Sequence, residues 1–489
     1  MNELTTAFML VACAVVMFRW RTGLLVCVVI AMLQDPLRKL APGKPVVYVG
    51  LVGITFAAAW FGAWVSQVRL NPGVIHGWRR DMQLPFVLFC ILLVIQSLHA
   101  FARWGNPILP AIGAIFYVAP IVAVIFAHQF AVRAGTRGIS SFMWLYVAMA
   151  LVSFLSIYLE FAGVKSPVLG EVGVGQIIYD QGLNVKANSG LFRAAEMAAW
   201  HVATTSCFLF ILVNGRKLSV PKMIGVALIV IFLAAIGTLT GRRKMLVQIV
   251  IFASTYLFLF AWFLKGKARL AMISIIAGIV SFALVLTVMS PDAGDKTFDA
   301  IDKQLGKTDQ FEAWKNRGLG VFKDIPDRFV LLGYNPVVWA IDGFGWFGAG
   351  LGTASQGSQH FGGGAEKFGG AGEGGLGKVT MDLGVPGLVI FAWLAVTVLR
   401  LIWQRLFALS RASRPHATLA FGLVAFLVSN AAAFSIATQA FGDVFVLLTL
   451  GLCIGFVLAM PAVAAREIAA PVAKASQWRS PPAHERRLT

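Results

Sequence analysis

The sequence predicts an all-α protein that crosses a membrane about a dozen times, and three observations predict it. The 489-residue chain is 58% hydrophobic and only 13% charged, where soluble domains carry roughly a quarter charged residues. Apolar runs of about 20 residues, the length a helix needs to span hydrocarbon, recur along the whole chain. The alternating segments of roughly ten residues that mark a membrane β-barrel are absent.

In chain order the clear runs are 46–68, 84–102, 107–132, 139–162, 194–213, 223–239, 245–264, 270–290, 379–403, 418–434 and 441–460. Two shorter runs, 5–18 and 22–33, precede them and bring the expected count to about 12–13 helices. The first residues carry Glu3 rather than a basic segment, and no cleavage motif precedes Arg19, so the N-terminus reads as a retained helix.

Orientation follows from lysine and arginine in the short loops. One set of alternate connections carries Arg19 and Arg21, Arg69, Arg79 and Arg80, Arg133 and Arg137, and Arg216, Lys217 and Lys222. It continues with Lys265, Lys267 and Arg269, then Arg405, Arg411 and Arg414, and the tail from Arg466. The opposite set carries Arg38, Lys39 and Lys44, then Arg103, then Arg242, Arg243 and Lys244. The first set is about three times richer and is expected to be cytoplasmic. Much of the +19 net charge is therefore topological and does not point to nucleic acid. The basic tail suits anionic lipid headgroups. All five cysteines lie in apolar runs, as packing residues rather than disulfides or metal ligands.

Four regions follow. Residues 1–290 form a block of transmembrane helices, 291–378 a polar extracytoplasmic insertion, 379–464 three final transmembrane helices, and 465–489 a basic cytoplasmic tail expected to be disordered. Within the insertion, Phe298, Ile301, Leu305, Phe311, Trp314, Leu319 and Phe322 suggest amphipathic helices on the membrane surface. From 343 to 377 glycines alternate with Phe344, Trp346, Phe347, Phe361 and Phe368, a pattern that favours a structured loop over a flexible linker. A second extracytoplasmic loop, 163–191, carries Glu171, Tyr179, Asp180 and Asn184.

Arg242, Arg243 and Lys244 are expected at the N-terminus of an inward-running helix. That is the positive pole of the helix dipole, and on the side that the lysine and arginine bias disfavours. Both departures call for a bound anion such as phosphate; the alternative is snorkelling to headgroups. Arg193 repeats the arrangement, with Asn188 or Ser189 as N-cap and a local pair with Glu196 as the plain alternative. Two such arginines can grip a pyrophosphate bidentately. For general-base work the candidates are His360, Glu366, Glu373 and Asp382, with Glu171 and Asp180 in the other loop. Glu373 precedes a membrane helix, where burial raises a carboxyl pKa, and His360 has the better intrinsic value. His99, His128 and His201 read as core residues and Glu160 as structural, and no spacing suggests a metal.

Three motifs carry a resemblance. Ser189-Gly-Leu-Phe-Arg193-Ala-Ala-Glu196 and Leu239-Thr-Gly-Arg242-Arg243 are similar to the arginine motifs of the O-antigen ligase and O-antigen polymerase superfamily of bacterial membrane glycosyltransferases. Gly343-Phe-Gly-Trp-Phe-Gly-Ala-Gly350, with Glu373-Gly-Gly-Leu-Gly-Lys378 and Asp382-Leu-Gly-Val-Pro-Gly387, resembles that family's closing loop. The resemblance implies a GT-C-like fold in the bacterial inner membrane. It also implies an undecaprenyl-pyrophosphate-linked oligosaccharide donor, a periplasmic active site, and no metal or other cofactor. Arg193, Arg242, Arg243 and Lys244 would then bind pyrophosphate and Glu373 or His360 would be the base. Trp346, Phe347, Tyr179 and Asp382 would meet the sugar or the acceptor. The histidine that the ligases carry in the closing motif is replaced here, which tilts the expectation towards a polymerase of exopolysaccharide, capsule or O-antigen repeats over a lipid A–core ligase. Partners would be the growing glycan, the bilayer, and polysaccharide export or chain-length-control proteins. The rival reading is a lipid-linked oligosaccharide flippase, which would place charges at mid-depth along a central path. A non-catalytic subunit of an export assembly is a third.

Overall fold

The structure, a computed structural model, describes residues 3–172, 177–180, 183–214, 219–242, 244–263, 329–355 and 374–479. Helices α1 (Glu3–Phe18) and α2 (Gly23–Leu40) meet at a 119° bend. They are followed by α3 (Leu51–Val65), α4 (Gln83–Trp104), α5 (Ile108–Phe161), α6 (Ala195–Val213), α7 (Val220–Leu239) and α8 (Lys244–Phe263). The later part contributes α9 (Asn335–Phe344), α10 (Gly375–Ala412), α11 (Arg414–Ile436) and α12 (Val444–Arg479). One hairpin interrupts the all-α expectation: β1 (Ile177–Asp180) pairs antiparallel with β2 (Leu183–Lys186).

Among the described residues, eight helices are long and apolar enough to cross a membrane, or nine when α1 and α2 count as one span. The expected run 270–290 and the amphipathic pattern of 297–322 lie outside the described residues. Two of the eight or nine hide further crossings. α5 has 54 residues, about 80 Å at 1.5 Å per residue and well over twice a bilayer's hydrocarbon thickness. It breaks at Gly135 (φ 68°, ψ −168°) into the two crossings expected at 107–132 and 139–162. A β-carbon at Gly135 would lie 2.5 Å from the Glu467 carboxylate, so this corner accepts only glycine. α2 is the second case. At one end Trp20 lies under the Arg133 guanidinium at 5.5 Å. At the other, Lys39 Nζ donates to the Gly190 carbonyl at 2.8 Å.

These contacts place alternate connections at opposite ends of the bundle. One end gathers residues near 35–39, 103, 160, 190–193, 242, 382 and 443; the other gathers those near 20, 76, 133, 405, 416 and 467. They are called the Arg193 end and the Glu467 end. The first matches the connections expected outside, the second those expected in the cytoplasm.

α6 and α12 are the central helices, each 78% buried over its apolar stretch, against 17% for α7. On α7 the large apolar side chains point outward (Val220, Leu228 and Ile231 are all more than half exposed), as lipid-facing residues do. Lipid tails are as apolar as leucine, so helices in a membrane associate by close packing through small residues. α12 supplies Gly451 and Gly455, four apart on one face, whose α-carbons sit against the Pro120 and Val124 carbonyls of α5.

The glycine-rich loop is structured as expected where it is described. Gly345, Gly348, Gly350 and Gly352 all have φ between 75° and 103°, conformations that only glycine adopts without strain. The backbone they shape is stitched to α4 and α10. Ala349 N donates to Met381 O at 2.7 Å and Leu351 N to Gln96 O at 3.1 Å. Gln96 Nε2 donates to Phe347 O at 2.9 Å and Trp104 Nε1 to Ala349 O at 3.1 Å. The 378/379 boundary falls inside a helix, because α10 begins at Gly375 and turns a corner at Gly384 (φ 70°), two residues before Pro386. That corner frees the Val385 N–H, which Trp346 O accepts at 2.9 Å. At the C-terminus the expected tail from 465 is helical as far as Arg479, since Ala-rich sequence continues α12 beyond its apolar run.

Candidate functional site

The two central helices both begin at the Arg193 end, and charge concentrates at their N-termini. Asp443 precedes α12 and accepts from Phe445 N at 2.7 Å and Val446 N at 3.3 Å, as an N-cap does. Its other oxygen accepts from Arg193 Nη1 at 2.5 Å. The same guanidinium nitrogen reaches Asp35 of α2 at 3.3 Å, and the Arg193 backbone N–H donates to Asp35 at 3.0 Å. Arg193 thus ties α2, the start of α6 and α12 together, with side-chain exposures of 12%, 5% and 1% for Arg193, Asp35 and Asp443. Burial works against its charge, but Asp443 and Asp35 more than offset that and hold the guanidinium's pKa above its ordinary value.

Around this triad the 187–194 segment is held by charge-assisted hydrogen bonds. Glu160 accepts from Ser189 N at 2.9 Å and Gly190 N at 2.7 Å, the structural role expected of it. Lys39 Nζ donates to Phe192 O at 2.7 Å as well as to Gly190 O. Neither Asn188 nor Ser189 caps α6. Asn188 instead donates to the last α7 carbonyls at Leu239 O, 2.9 Å away. The first free N–H of α6, at Ala195, is taken by Glu171 Oε1 at 2.8 Å. Burial pushes the Glu171 carboxyl up to about 7. The Ala195 N–H pulls the other way, as does Arg242, while Glu196 and Glu160 push with burial.

Arg242 stands on the far side of the same helix start. It pairs with Glu196 at 2.7 Å, so the local Arg193–Glu196 pair suggested by spacing is not formed. Arg242 Nε is buried without a hydrogen-bond partner, and so is Gln248 Nε2, one turn into α8. Both residues line one cleft, walled by Trp200 and Phe441. A buried donor left unmade costs roughly 1–3 kcal/mol, so two on residues that line one cleft favour an acceptor beside them.

The expected site residues therefore separate. Arg193 and Arg242 do flank one helix N-terminus, but Arg193 is committed to two carboxylates while Arg242 keeps a free edge. Lys244 opens α8. Arg243, His360, Glu366 and Glu373 lie outside the described residues. Tyr179 sits on β1 opposite Asn184. Trp346 and Phe347 are 69% and 58% exposed in the glycine loop, open to a ligand or lipid. Asp382 does not face an acceptor. It is fully buried, taking the Ala354 N–H at 2.9 Å on one oxygen, and Lys378 Nζ at 3.1 Å and the Tyr117 hydroxyl at 3.2 Å on the other. It locks the glycine loop to α10 and α5. His201 is the core residue expected, bonded to the Tyr146 hydroxyl at 2.7 Å and stacked on Phe192.

Asp35, Lys39, Asp443 and Gln248 were not singled out from sequence. Asp35 and Asp443 had a usable signal, each being an acid set into or beside an apolar run. Compared with known proteins, the chain matches no protein-family model and no curated sequence.

Proposed function

We propose that this chain is a membrane glycosyltransferase that polymerises, or ligates, glycan units carried on undecaprenyl pyrophosphate, working at the Arg193 end on the periplasmic side of a bacterial inner membrane. The observation that carries the reading is the cleft beside α6, where Arg242 Nε and Gln248 Nε2 are buried donors without acceptors. An anionic phosphate oxygen supplies what both lack. Arg242 then stabilises the departing pyrophosphate, where charge accumulates in the transition state. Arg193 acts one step removed, as a positioning residue that fixes α2, α6 and α12. Lys244 and Arg243 are the further basic residues of the same sequence segment. Among the described carboxylates Glu171 is best placed to take the acceptor proton, being half-buried, near neutral in pKa and beside Arg242. Glu373 and His360 are its rivals. The exposed Trp346 and Phe347 offer rings to the sugars.

The second reading, a lipid-linked oligosaccharide transporter, draws on the buried Arg193–Asp35–Asp443 triad, because charges between helices also mark coupling sites. The triad lies at one end of the bundle, however, rather than at mid-depth. One experiment separates the two. Purified protein in liposomes is given lipid-linked repeat units, and products are resolved on a gel. The enzyme makes a ladder, and Arg242→Gln abolishes it by about a hundredfold or more with folding retained. Movement of the donor across the bilayer with no ladder gives the site to transport instead.

A further inference from the structure

The Glu467 end holds a second cleft, unconnected with the glycan reading. It has a volume of about 400 Å³, within the range of roughly 300–1,000 Å³ typical of small-molecule sites. Its walls come from two segments far apart in sequence: the loop before α4 (His76, Trp78, Arg79, Arg80) and one turn of α10 (Gln404, Arg405). Gly77, at φ 87°, lets the two meet, since a β-carbon there would lie 3.2 Å from a Leu401 methyl. Trp78 is buried as the floor, edge-on to Phe86 at 5.0 Å.

We propose that this cleft binds the phosphate diester of an anionic phospholipid headgroup. Three arginines converge there against one acid, Asp81. Among the described residues the ion pair of Asp81 is with Arg80, at 3.3 Å with the arginine side chain 80% exposed, a pairing that contributes little. Arg79 makes no ion pair among the described residues. Arg405 is held in place by donating to His76 O at 2.7 Å, yet its Nε is buried without a partner. That orphan donor on a fixed guanidinium distinguishes the cleft from ordinary basic residues spread over a cytoplasmic surface. It asks for an acceptor oxygen, and the local charge asks for an anion.

A lipid is favoured over free phosphate by what adjoins the cleft. Along α4, Leu84, Val87 and Ile91 are 44–60% exposed at helical spacing from Arg80, an apolar strip leading away from the cleft. Acyl chains can lie on that strip while the phosphate sits in the cleft. Basic pockets at the ends of membrane helices bind acidic headgroups in this way.

The test uses the full chain. Wild-type protein in mixed-lipid nanodiscs is extracted and weighed by native mass spectrometry, with phosphatidylglycerol and phosphatidylcholine competing. Phosphatidylglycerol is expected to be retained about tenfold over phosphatidylcholine, and Arg79→Gln with Arg405→Gln to bring the ratio near one. Arg79→Gln alone, at an exposed side chain with no ion pair to lose, is expected to lower the ratio severalfold without changing the melting temperature. Arg414→Gln, at the same end but away from the cleft, is expected to leave it unchanged. Equal retention of the two lipids by wild type overturns the proposal, as does a ratio that Arg414→Gln lowers as much as Arg79→Gln. If inorganic phosphate displaces the retained lipid completely, the site belongs to a soluble phosphate and the lipid assignment falls.

Discussion

Arginine behaves differently at the two ends of this molecule. At the Arg193 end two arginines bond carboxylates inside the protein, Arg193 to Asp35 and Asp443 and Arg242 to Glu196, while Arg38 donates to Lys44 O and Arg103 stacks on Trp104. At the Glu467 end the arginines bond backbone carbonyls or stack on rings, and Arg80 meets its acid, Asp81, at the surface. Arg405 donates to His76 O, Arg466 to Val132 O at 2.8 Å, and Arg133 lies over Trp20. The second pattern is what orientation requires, since charge there only has to stay on one side of a membrane. The first has to withstand desolvation, and Arg193 does so through acids that themselves bond backbone N–H groups. Basic residues that carry acidic partners from other helices are thus set apart from those that merely set topology.

The largest expected effect breaks the buried network. Arg193→Leu leaves Asp35 and Asp443 uncompensated and should cost about 3–5 kcal/mol, the usual penalty for removing one partner of a buried pair. Loss of folded protein or a sharply lowered melting temperature would show it. Arg466→Leu at the opposite end should cost under about 1 kcal/mol. Equal losses at the two ends would erase the distinction. Restoration of stability in Arg193→Leu by adding Asp35→Leu and Asp443→Asn would confirm that uncompensated charge, rather than lost packing, is the cause.

A smaller effect sharpens the comparison through pH. The Glu171 carboxyl sits at about 7 against an ordinary 4.5, so its protonated form is the one the fold favours. That stabilisation is fully present below about pH 4.5 and is lost as pH rises through about 7, in the order of 1 kcal/mol once solvent screening is allowed for. Hydrogen exchange at the Ala195 amide and in 163–172 should therefore quicken across that window. Glu171→Gln, which stays neutral, should remove the pH dependence contributed by this position. A wild-type slope identical to that of Glu171→Gln would mean the carboxyl ionises outside the window.

Much of the fold was legible because membrane helices announce themselves by length. Every apolar run within the described residues became a helix, and the loop charges alternated as the contacts now show. The glycine loop was legible as structured over 343–355, where it is described, because aromatics and glycines in alternation do not suit a spacer. What it packs against was not, since Gln96 and Trp104 lie about 250 residues away in sequence. The same holds at the site. The local spacing offered Glu196 as the partner of Arg193, three residues on, but the true partners are 158 and 250 residues away. Spacing along one helix finds neighbours on that helix only. Acids contributed by α2 and the start of α12 become visible as partners once three helices are brought to one point.

The smallest effect concerns Glu467, the acid at the other end that is most nearly comparable with Asp443. It accepts from Thr136 N at 2.8 Å, from the Thr136 hydroxyl at 3.0 Å, and from His416 Nε2 at 3.0 Å, and so holds the Gly135 corner of α5 against α11 and α12. By number of hydrogen bonds it rivals Asp443. Its side chain is 36% exposed, however, where that of Asp443 is 1%. Water can replace what Glu467 loses, and no buried guanidinium depends on it. Glu467→Gln keeps an acceptor oxygen for Thr136 and should cost no more than about 1 kcal/mol, while Asp443→Asn should cost several times that. Chemical or thermal denaturation of both variants in one detergent decides it. If the two cost the same, the number of hydrogen bonds rather than burial sets the strength of these acids, and the contrast between the ends reduces to geometry.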